Sequence, residues 1–191
     1  MLFWKEEFCT TLARRGFFVI RFDNRDVGLS THLDDLGIPD VSEIRAGRAE
    51  APYSLEDMAD DTVAVLDAAG VAAAHVVGIS LGGYVGQAMA LRHPDRVLSL
   101  ASMMAGVGGD DNAYGGYPHR AEDAEPAADE EALIERRLRE IVVNAHRTAE
   151  AIPGSKLVIL DDLGHEFPPS CWEAMIDLIA ENAAAAGAGT S

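Results

Sequence analysis

The chain has 191 residues, 48 % of them hydrophobic and 25 % charged, which fits one globular domain with a buried core. With 32 acidic and 15 basic residues its formal net charge is −17, and this excludes the clustered basic surface that binds nucleic acid or a membrane. Two cysteines are too few for a disulfide framework, the N-terminus is not typical of a signal peptide, and no apolar run reaches the ~20 residues of a membrane helix, so we expect a cytoplasmic protein.

The N-terminal part of the chain predicts a helix, a strand and a turn. Apolar residues at helical spacing predict a first helix over Phe3–Arg15. Phe17–Phe22 follows it and is apolar enough for a strand that is covered on both faces. The strand leads into the polar turn Asp23–Gly28, where we expect Arg25 and Asp26 to be held by an ion pair or a turn hydrogen bond.

The middle of the chain alternates helices with a strand. Ser54 and Asp57 have the spacing of a capping box, so the next helix is predicted to begin there. A short buried strand at His75–Val77 precedes a helix over Leu81–Arg92, which Pro94 ends.

Two more strands and a last helix complete the pattern. The strands are predicted at Val97–Ala105 and Leu157–Leu160, and the helix at Ser170, with Glu173 completing a second capping box. Strands that alternate with helices of this length predict the α/β class, with a mostly parallel sheet flanked by helices.

We expect residues 1–191 to form a single domain. The acidic, Gly- and Pro-rich stretch 106–131 is predicted to be a loop or the remnant of a lid rather than a second domain. One long helix is expected over Glu130–Ile152, and the Ala- and Gly-rich tail 183–191 is expected to fray.

Residues 78–82 match the pattern G-x-S-x-G. The motif follows a β-branched strand and opens a helix, as a nucleophile elbow requires, and it presents the Ser80 hydroxyl at the carboxyl edge of the sheet. Gly78 and Gly82 would supply the space that such a strained turn needs, and the Leu81 amide at the helix N-terminus would face a developing oxyanion. The alternative is a plain Gly-rich turn between a strand and a helix.

A serine hydroxyl needs a base, and His165 is the candidate among six histidines. It follows the last predicted strand across the short turn 161–164, which places it at the same sheet edge as Ser80. The alternative is a histidine on a surface loop. The other five are expected to be structural or solvated: His32, His75, His93, His119 and His146.

The spacing of His, Cys and Asp is not typical of a zinc site, and no phosphate-binding loop precedes a Lys-Ser/Thr pair. We therefore expect neither a zinc site nor a nucleotide site.

Three stretches together resemble the α/β-hydrolase superfamily, in the branch of the aclacinomycin methylesterase-like enzymes. They are FFVIRFDNRDVGLST, YSLEDMADDTVAVLDAAGVAAAHVVGISLGGYVGQAMALRHPDRVLSLASMM and AIPGSKLVILDDLGHEFPP. With the first helix they cover most of the chain outside Ala105–His146. The resemblance implies cofactor-free hydrolysis of carboxylic esters by a Ser–acid–His set, with Ser80 as the nucleophile and His165 as the histidine.

The sequence departs from the family pattern at three points. The strands and oxyanion loop that precede the first helix in the family have no counterpart here, nor does the segment that carries the acid before the last strand. The missing strands lie inside the family's sheet, so the remaining strands are expected to close the gaps or to leave backbone groups unpaired. A natural deletion variant, a gene fragment and an incomplete gene model all fit these departures.

The catalytic acid is the least determined group. In the order Ser–acid–His it lies between Ser80 and His165, and Asp110 and Asp111 follow the predicted strand Val97–Ala105 at the carboxyl edge. Asp110 is our candidate, and a solvated loop aspartate is the alternative.

The expected function is that of a serine hydrolase that acts on a small-molecule carboxylic ester by nucleophilic acyl transfer. A catalytically impaired remnant of the fold, serving as a binding module, is the alternative, and a cofactor-free perhydrolase would use the same residues. Exposed strand edges would favour a homo-oligomer.

Overall fold

The computed structural model describes residues 3–106, 145–160 and 163–188. The described elements are, in chain order, helices α1 (Glu6–Arg14), α2 (Val41–Arg45) and α3 (Leu55–Ala68), strand β1 (Ala74–Ile79), helix α4 (Leu81–Arg92), strand β2 (Val97–Met103), helix α5 (145–151) and helix α6 (Trp172–Ala188). Short 3₁₀ turns lie at Asp34–Leu36, Pro94–Arg96 and Pro169–Cys171. No helix in these ranges is both long and apolar enough to cross a bilayer.

The sheet consists of β1 and β2, which are parallel and joined by α4. Val76 pairs with Leu100 and Ile79 with Met103. Helix α4 lies close to the sheet because a Cβ at Gly86 would stand only 2.7 Å from Leu100 Cδ1. The predicted α/β class is confirmed, as a small parallel two-stranded sheet packed against helices.

The other two predicted strands, Phe17–Phe22 and Leu157–Leu160, are wrong. Neither segment joins a β-ladder within the described residues. An apolar, β-branched segment becomes a strand only when a neighbour accepts its backbone hydrogen bonds, and the described part of the chain provides no such neighbour. Phe18 is 79 % exposed, which shows that this segment is not covered on both faces. Within the described residues, the backbone groups of these two segments are therefore not paired in a sheet.

The predicted start of α3 is confirmed, and that of α6 is not. The Ser54 side chain accepts from the Asp57 amide at 3.1 Å, and the Asp57 carboxylate accepts from the Ser54 amide at 2.7 Å. Ser170 instead lies in a 3₁₀ turn, in which the Cys171 amide donates to the Pro168 carbonyl, and α6 begins at Trp172. The fixed φ of Pro169 suits such a tight first turn.

Several predicted boundaries change. Helix α6 continues to Ala188, so the expected fraying is wrong for residues 183–188; alanine is the best helix former, and Ala183 is buried. Strand β2 ends at Met103, because Met104 has a φ of +56° and turns the chain away from the sheet. Residues 107–144, with nearly all of the predicted lid remnant and most of the predicted long helix, lie outside the described residues.

Two hydrophobic cores cover the opposite faces of the sheet. The first joins α1 and α6 and includes Phe8 and Ile176, with Val77 packed against it. The second joins α3 and α4 around Met89, with Val76 packed against it. Because successive strand residues point to opposite faces, Val76 and Val77 place these cores on the two sides of β1.

The turn 23–28 is structural, as expected. The Arg25 guanidinium donates to both carboxylate oxygens of Asp61, at 2.7 and 2.9 Å, and lies over the Tyr53 ring. The Asp26 carboxylate accepts from the Leu33 amide at 2.7 Å. These bonds join the turn to α3.

A second charged contact joins Asp60 of α3 to the end of α4. The Asp60 carboxylate accepts from Arg92 Nε at 2.8 Å and lies 2.6 Å from His93 Nε2. The hydrogen bond from Arg92, and after it that from His93, lowers the pKa of Asp60. A carboxylate whose pKa falls on folding stabilises the protein above its unfolded pKa of about 3.9, and this stabilisation is lost as the pH drops through the folded value.

We therefore expect Asp60→Asn to reduce the loss of stability between pH 7 and pH 3, measured by urea unfolding at a series of pH values. Asp35→Asn is the control, because the exposed Asp35 carboxylate makes no hydrogen bond to any described residue. Equal pH dependence in the two variants would contradict the role of Asp60.

Candidate active site

Ser80 occupies the sharp turn between β1 and α4. Its φ of +53° and ψ of −117° are strained for a residue with a side chain. The Ser80 amide donates to the Met103 carbonyl at the end of β2, and the Ser80 carbonyl accepts from the Gly83 amide, both at 2.9 Å. The strained conformation is thus fixed by the sheet on one side and by the first turn of α4 on the other.

The two glycines of the motif have different environments. A Cβ at Gly78 would stand 2.1 Å from the Gly82 carbonyl oxygen and 2.6 Å from the Gly83 amide nitrogen, so a side chain at position 78 has no room. A Cβ at Gly82 would have no contact within 4 Å. Among the described residues, the lack of room for a side chain therefore applies to Gly78 and not to Gly82.

Gly83 makes a close contact that the motif does not include. A Cβ there would stand 2.6 Å from Ala105 Cβ and 2.9 Å from Ser102 Oγ. This glycine therefore lets the first turn of α4 approach the end of β2. The second glycine of the Gly82-Gly83 pair was the signal in the sequence for this approach.

Sequence reasoning also missed two polar side chains of α4, Tyr84 and Gln87. Gln87 Nε2 donates to Ser102 Oγ at 3.1 Å and to the Gly106 carbonyl at 3.0 Å, while the Tyr84 hydroxyl accepts from the Gly106 amide at 3.2 Å. Their three-residue spacing puts both side chains on one face of the helix. Two polar residues at this spacing in a largely apolar helix were the signal in the sequence that this face has polar partners. Together they hold the chain where it leaves β2 beside Ser80.

His165 lies next to Ser80, although the two are 85 positions apart in the chain. Its Nε2 is 3.2 Å from Ser80 Oγ, within the reach that a general base needs. The His165 side chain is exposed and Ser80 is half-buried, so the pair faces solvent from the carboxyl edge of the sheet.

The remaining predicted site groups are placed as follows. Leu81 is the first residue of α4, so its amide has no hydrogen-bond acceptor within the helix. This amide lies at the N-terminus of the helix, which is the positive end of the helix dipole. Asp110 lies outside the described residues, as do Asp111, Asp161 and Asp162. Within the described ranges no carboxylate is hydrogen-bonded to His165.

Three other histidines have separate partners. His75 Nδ1 lies 2.9 Å from Ser99 Oγ, His93 is bonded to Asp60, and His32 Nε2 lies 3.1 Å from the Gly28 carbonyl. Over residues 3–106, 145–160 and 163–188, no three His, Cys, Asp or Glu side chains are grouped as a metal site would require.

Comparison with known proteins gives matches over much of the chain. A family model described as the alpha/beta hydrolase fold matches residues 2–140. Rhodomycin D methylesterase DauP of Streptomyces sp. (strain C5) is 44 % identical over 104 residues, which are 54 % of this chain and 30 % of that protein.

Two further relatives match an equal or smaller share of this chain. Rhodomycin D methylesterase DnrP of Streptomyces peucetius is 42 % identical over 104 residues, 54 % of this chain and 30 % of that protein. The putative carbamate hydrolase RutD of Caulobacter segnis is 59 % identical over 82 residues, 43 % of this chain and 26 % of that protein. The chain thus spans less than a third of the length of each of these relatives.

Proposed function

Because the chain belongs to the α/β-hydrolase fold family, we propose that it is a serine hydrolase that cleaves a small-molecule carboxylic ester by acyl transfer through Ser80. The observation that carries this proposal is the 3.2 Å approach of His165 Nε2 to Ser80 Oγ at a strained turn. A non-glycine residue held at positive φ is found mainly where function requires it. The methylesterases among the relatives support an ester as the substrate class.

The reaction follows from this geometry in two acyl-transfer steps. Ser80 Oγ attacks the ester carbonyl while His165 Nε2 takes the hydroxyl proton, and the tetrahedral intermediate collapses as His165 returns the proton to the departing alcohol. Water then attacks the acyl-serine, with His165 again as the base, and releases the carboxylic acid. The Leu81 amide donates to the oxyanion in both steps.

A carboxylate is needed to hold the His165 ring in the productive tautomer and to stabilise its protonated form. We propose Asp110 for this role, because it follows β2 by seven positions and β2 ends at the edge of the sheet that bears Ser80. Met104, with its positive φ, turns the chain out of the sheet at this edge, and Tyr84 and Gln87 hold the next residues.

Labelling with a fluorophosphonate probe tests the nucleophile. The probe reacts with a serine hydroxyl only where a base activates it, so at neutral pH we expect one adduct, on the peptide that contains Ser80. Ser80→Ala removes the adduct, and Ser42→Ala, which replaces an exposed serine of α2, leaves it in place. A folded chain without an adduct on Ser80 would overturn the proposal and favour a binding module that has kept the fold.

A further inference from the structure

Phe167, two residues after His165, lies within a group of five aromatic rings. Its ring centroid is 4.9 Å from that of Phe8, 5.3 Å from Trp4, 5.7 Å from Phe3 and 5.8 Å from Trp172. The contacts with Phe8 and Trp4 are edge-to-face and the contact with Phe3 is stacked, and these are favourable geometries for aromatic pairs. We call these five residues the aromatic cluster.

The aromatic cluster holds the backbone of Phe167 as well as its ring. Trp172 Nε1 donates to the Phe167 carbonyl at 3.2 Å. Phe8, at 1 % exposure, is part of the buried core between α1 and α6, and Phe167 packs against that core. Phe167 is thus held from two sides, by the N-terminal segment and by the start of α6.

The segment that precedes His165 packs against the same core through Leu160 and Leu163, but it has neither the ring contacts nor the backbone hydrogen bond from a side chain that hold Phe167. Residues 157–160 form no β-ladder with any described residue, and the His165 side chain is exposed. Two residues of chain span at most about 7 Å, so fixing Phe167 confines the backbone of His165 to a small region. The 3.2 Å separation from Ser80 Oγ is at the long end of a hydrogen bond, so a small displacement of the ring breaks the contact.

We infer that Phe167 is a positioning residue for His165, and that the N-terminal segment Phe3–Phe8 thereby supports the reactive histidine. This inference rests on the proposed function and adds a residue to it. Because misplacing a reacting group by about 1 Å lowers rates by roughly 10²-fold, we expect Phe167→Ala to slow the labelling of Ser80 by about that factor.

The test compares labelling rates in three variants at a temperature where each is folded. Phe167→Ala removes the ring, and Trp172→Phe keeps an aromatic ring but removes the N–H that holds the Phe167 carbonyl. Ile179→Ala is the control for lost packing, because Ile179 is buried in the same core but has no ring to contact Phe167. We expect slower labelling in the first two variants and the wild-type rate in the control, even where the control melts at a lower temperature.

The pH profile separates positioning from general destabilisation. A serine without a positioned base is labelled in proportion to hydroxide, whereas a histidine base gives a rate that levels off once the ring is neutral. Phe167→Ala should therefore show the profile of His165→Ala, and the double variant should be no slower than His165→Ala. A profile with the wild-type shape but lower amplitude would overturn the inference.

A measurement without turnover keeps the two proposals distinguishable. In ¹⁵N-labelled protein, the NMR signals of the His165 ring nitrogens are identified because they are absent from the spectrum of His165→Ala. In the wild type we expect the chemical shifts of these nitrogens to differ from those of a free imidazole. Phe167→Ala should move them to the free values. If wild-type protein is not labelled on Ser80, the proposed function fails; if the His165 shifts are unchanged in Phe167→Ala, the positioning role fails whatever the activity.

Discussion

Ser80→Ala and His165→Ala are each expected to lower kcat for a short-chain nitrophenyl ester, and the size of the loss will report whether a carboxylate serves His165. When serine, histidine and acid act as a unit, removing the serine or the histidine lowers kcat by about 2 × 10⁶-fold, whereas removing the acid alone lowers it by about 3 × 10⁴-fold. A Ser–His pair without its acid would therefore lose only roughly 10²-fold on removal of Ser80. The measurement is kcat for the wild type and both variants at neutral pH.

Non-additivity provides the control for this experiment. Because Ser80 Oγ and His165 Nε2 would act on one proton in the proposed reaction, the double variant should be no slower than either single variant. Asp110→Asn should reduce kcat only if the loss in Ser80→Ala approaches 10⁶-fold. Independent, multiplying effects of Ser80→Ala and His165→Ala would show that the two residues do not work as a pair.

Gly78→Ala is expected to disrupt the turn at Ser80, because its Cβ would stand 2.1 Å from a backbone oxygen that belongs to the first turn of α4. Backbone atoms cannot move aside as a flexible side chain does, so β1 and α4 must separate. Overpacking of this kind lowers the free energy of unfolding by about 1–3 kcal/mol or more. The displacement also moves Ser80 relative to His165, so we expect a loss of labelling of roughly 10²-fold or more.

Gly82→Ala is the matched control for Gly78→Ala, since it makes the same chemical change four residues away. Gly82 lies in the first turn of α4 and has no positive φ, and apart from its chain neighbours and its own helix backbone no described atom lies within 4 Å of its Cβ position. Alanine at such a site raises the free energy of unfolding by about 0.4–1 kcal/mol. Urea unfolding of both variants measures the difference, and equal destabilisation by the two substitutions would contradict the contrast between these glycines.

The elbow could be predicted from the sequence because its determinants are local. A β-branched strand, a G-x-S-x-G turn and a largely apolar helix follow one another within residues 74–92, and each is specified by neighbouring residues. His165 could also be placed, since a residue that follows a parallel strand lies at the carboxyl edge of a sheet. The approach to Ser80 holds in the structure, although residues 157–160 do not form that strand.

The unpaired segments could not be predicted, because pairing depends on what lies beside a segment in space. Phe17–Phe22 has the composition of a buried strand, and its composition is the same whether or not a neighbour is present. The aromatic cluster was equally hidden, since Phe3 and Phe167 are far apart in the chain and neither is part of a motif. At Gly83 the Gly82-Gly83 pair indicates a close approach, but the sequence does not reveal that Ser102 of β2 and Ala105 beyond it are the residues approached.

The division of the interior into two cores has a consequence for how the molecule opens. Ser80 follows β1 at the N-terminus of α4, a helix packed in the core that α3 and α4 share. His165 is tied through Phe167 to the other core, between α1 and α6. Proteins open in cooperative units that follow such packing boundaries, each with its own free energy. Ser80 and His165, the proposed nucleophile and its proposed base, are thus held by different cores, so opening of the α1–α6 core alone would separate the pair while the turn at Ser80 stays folded.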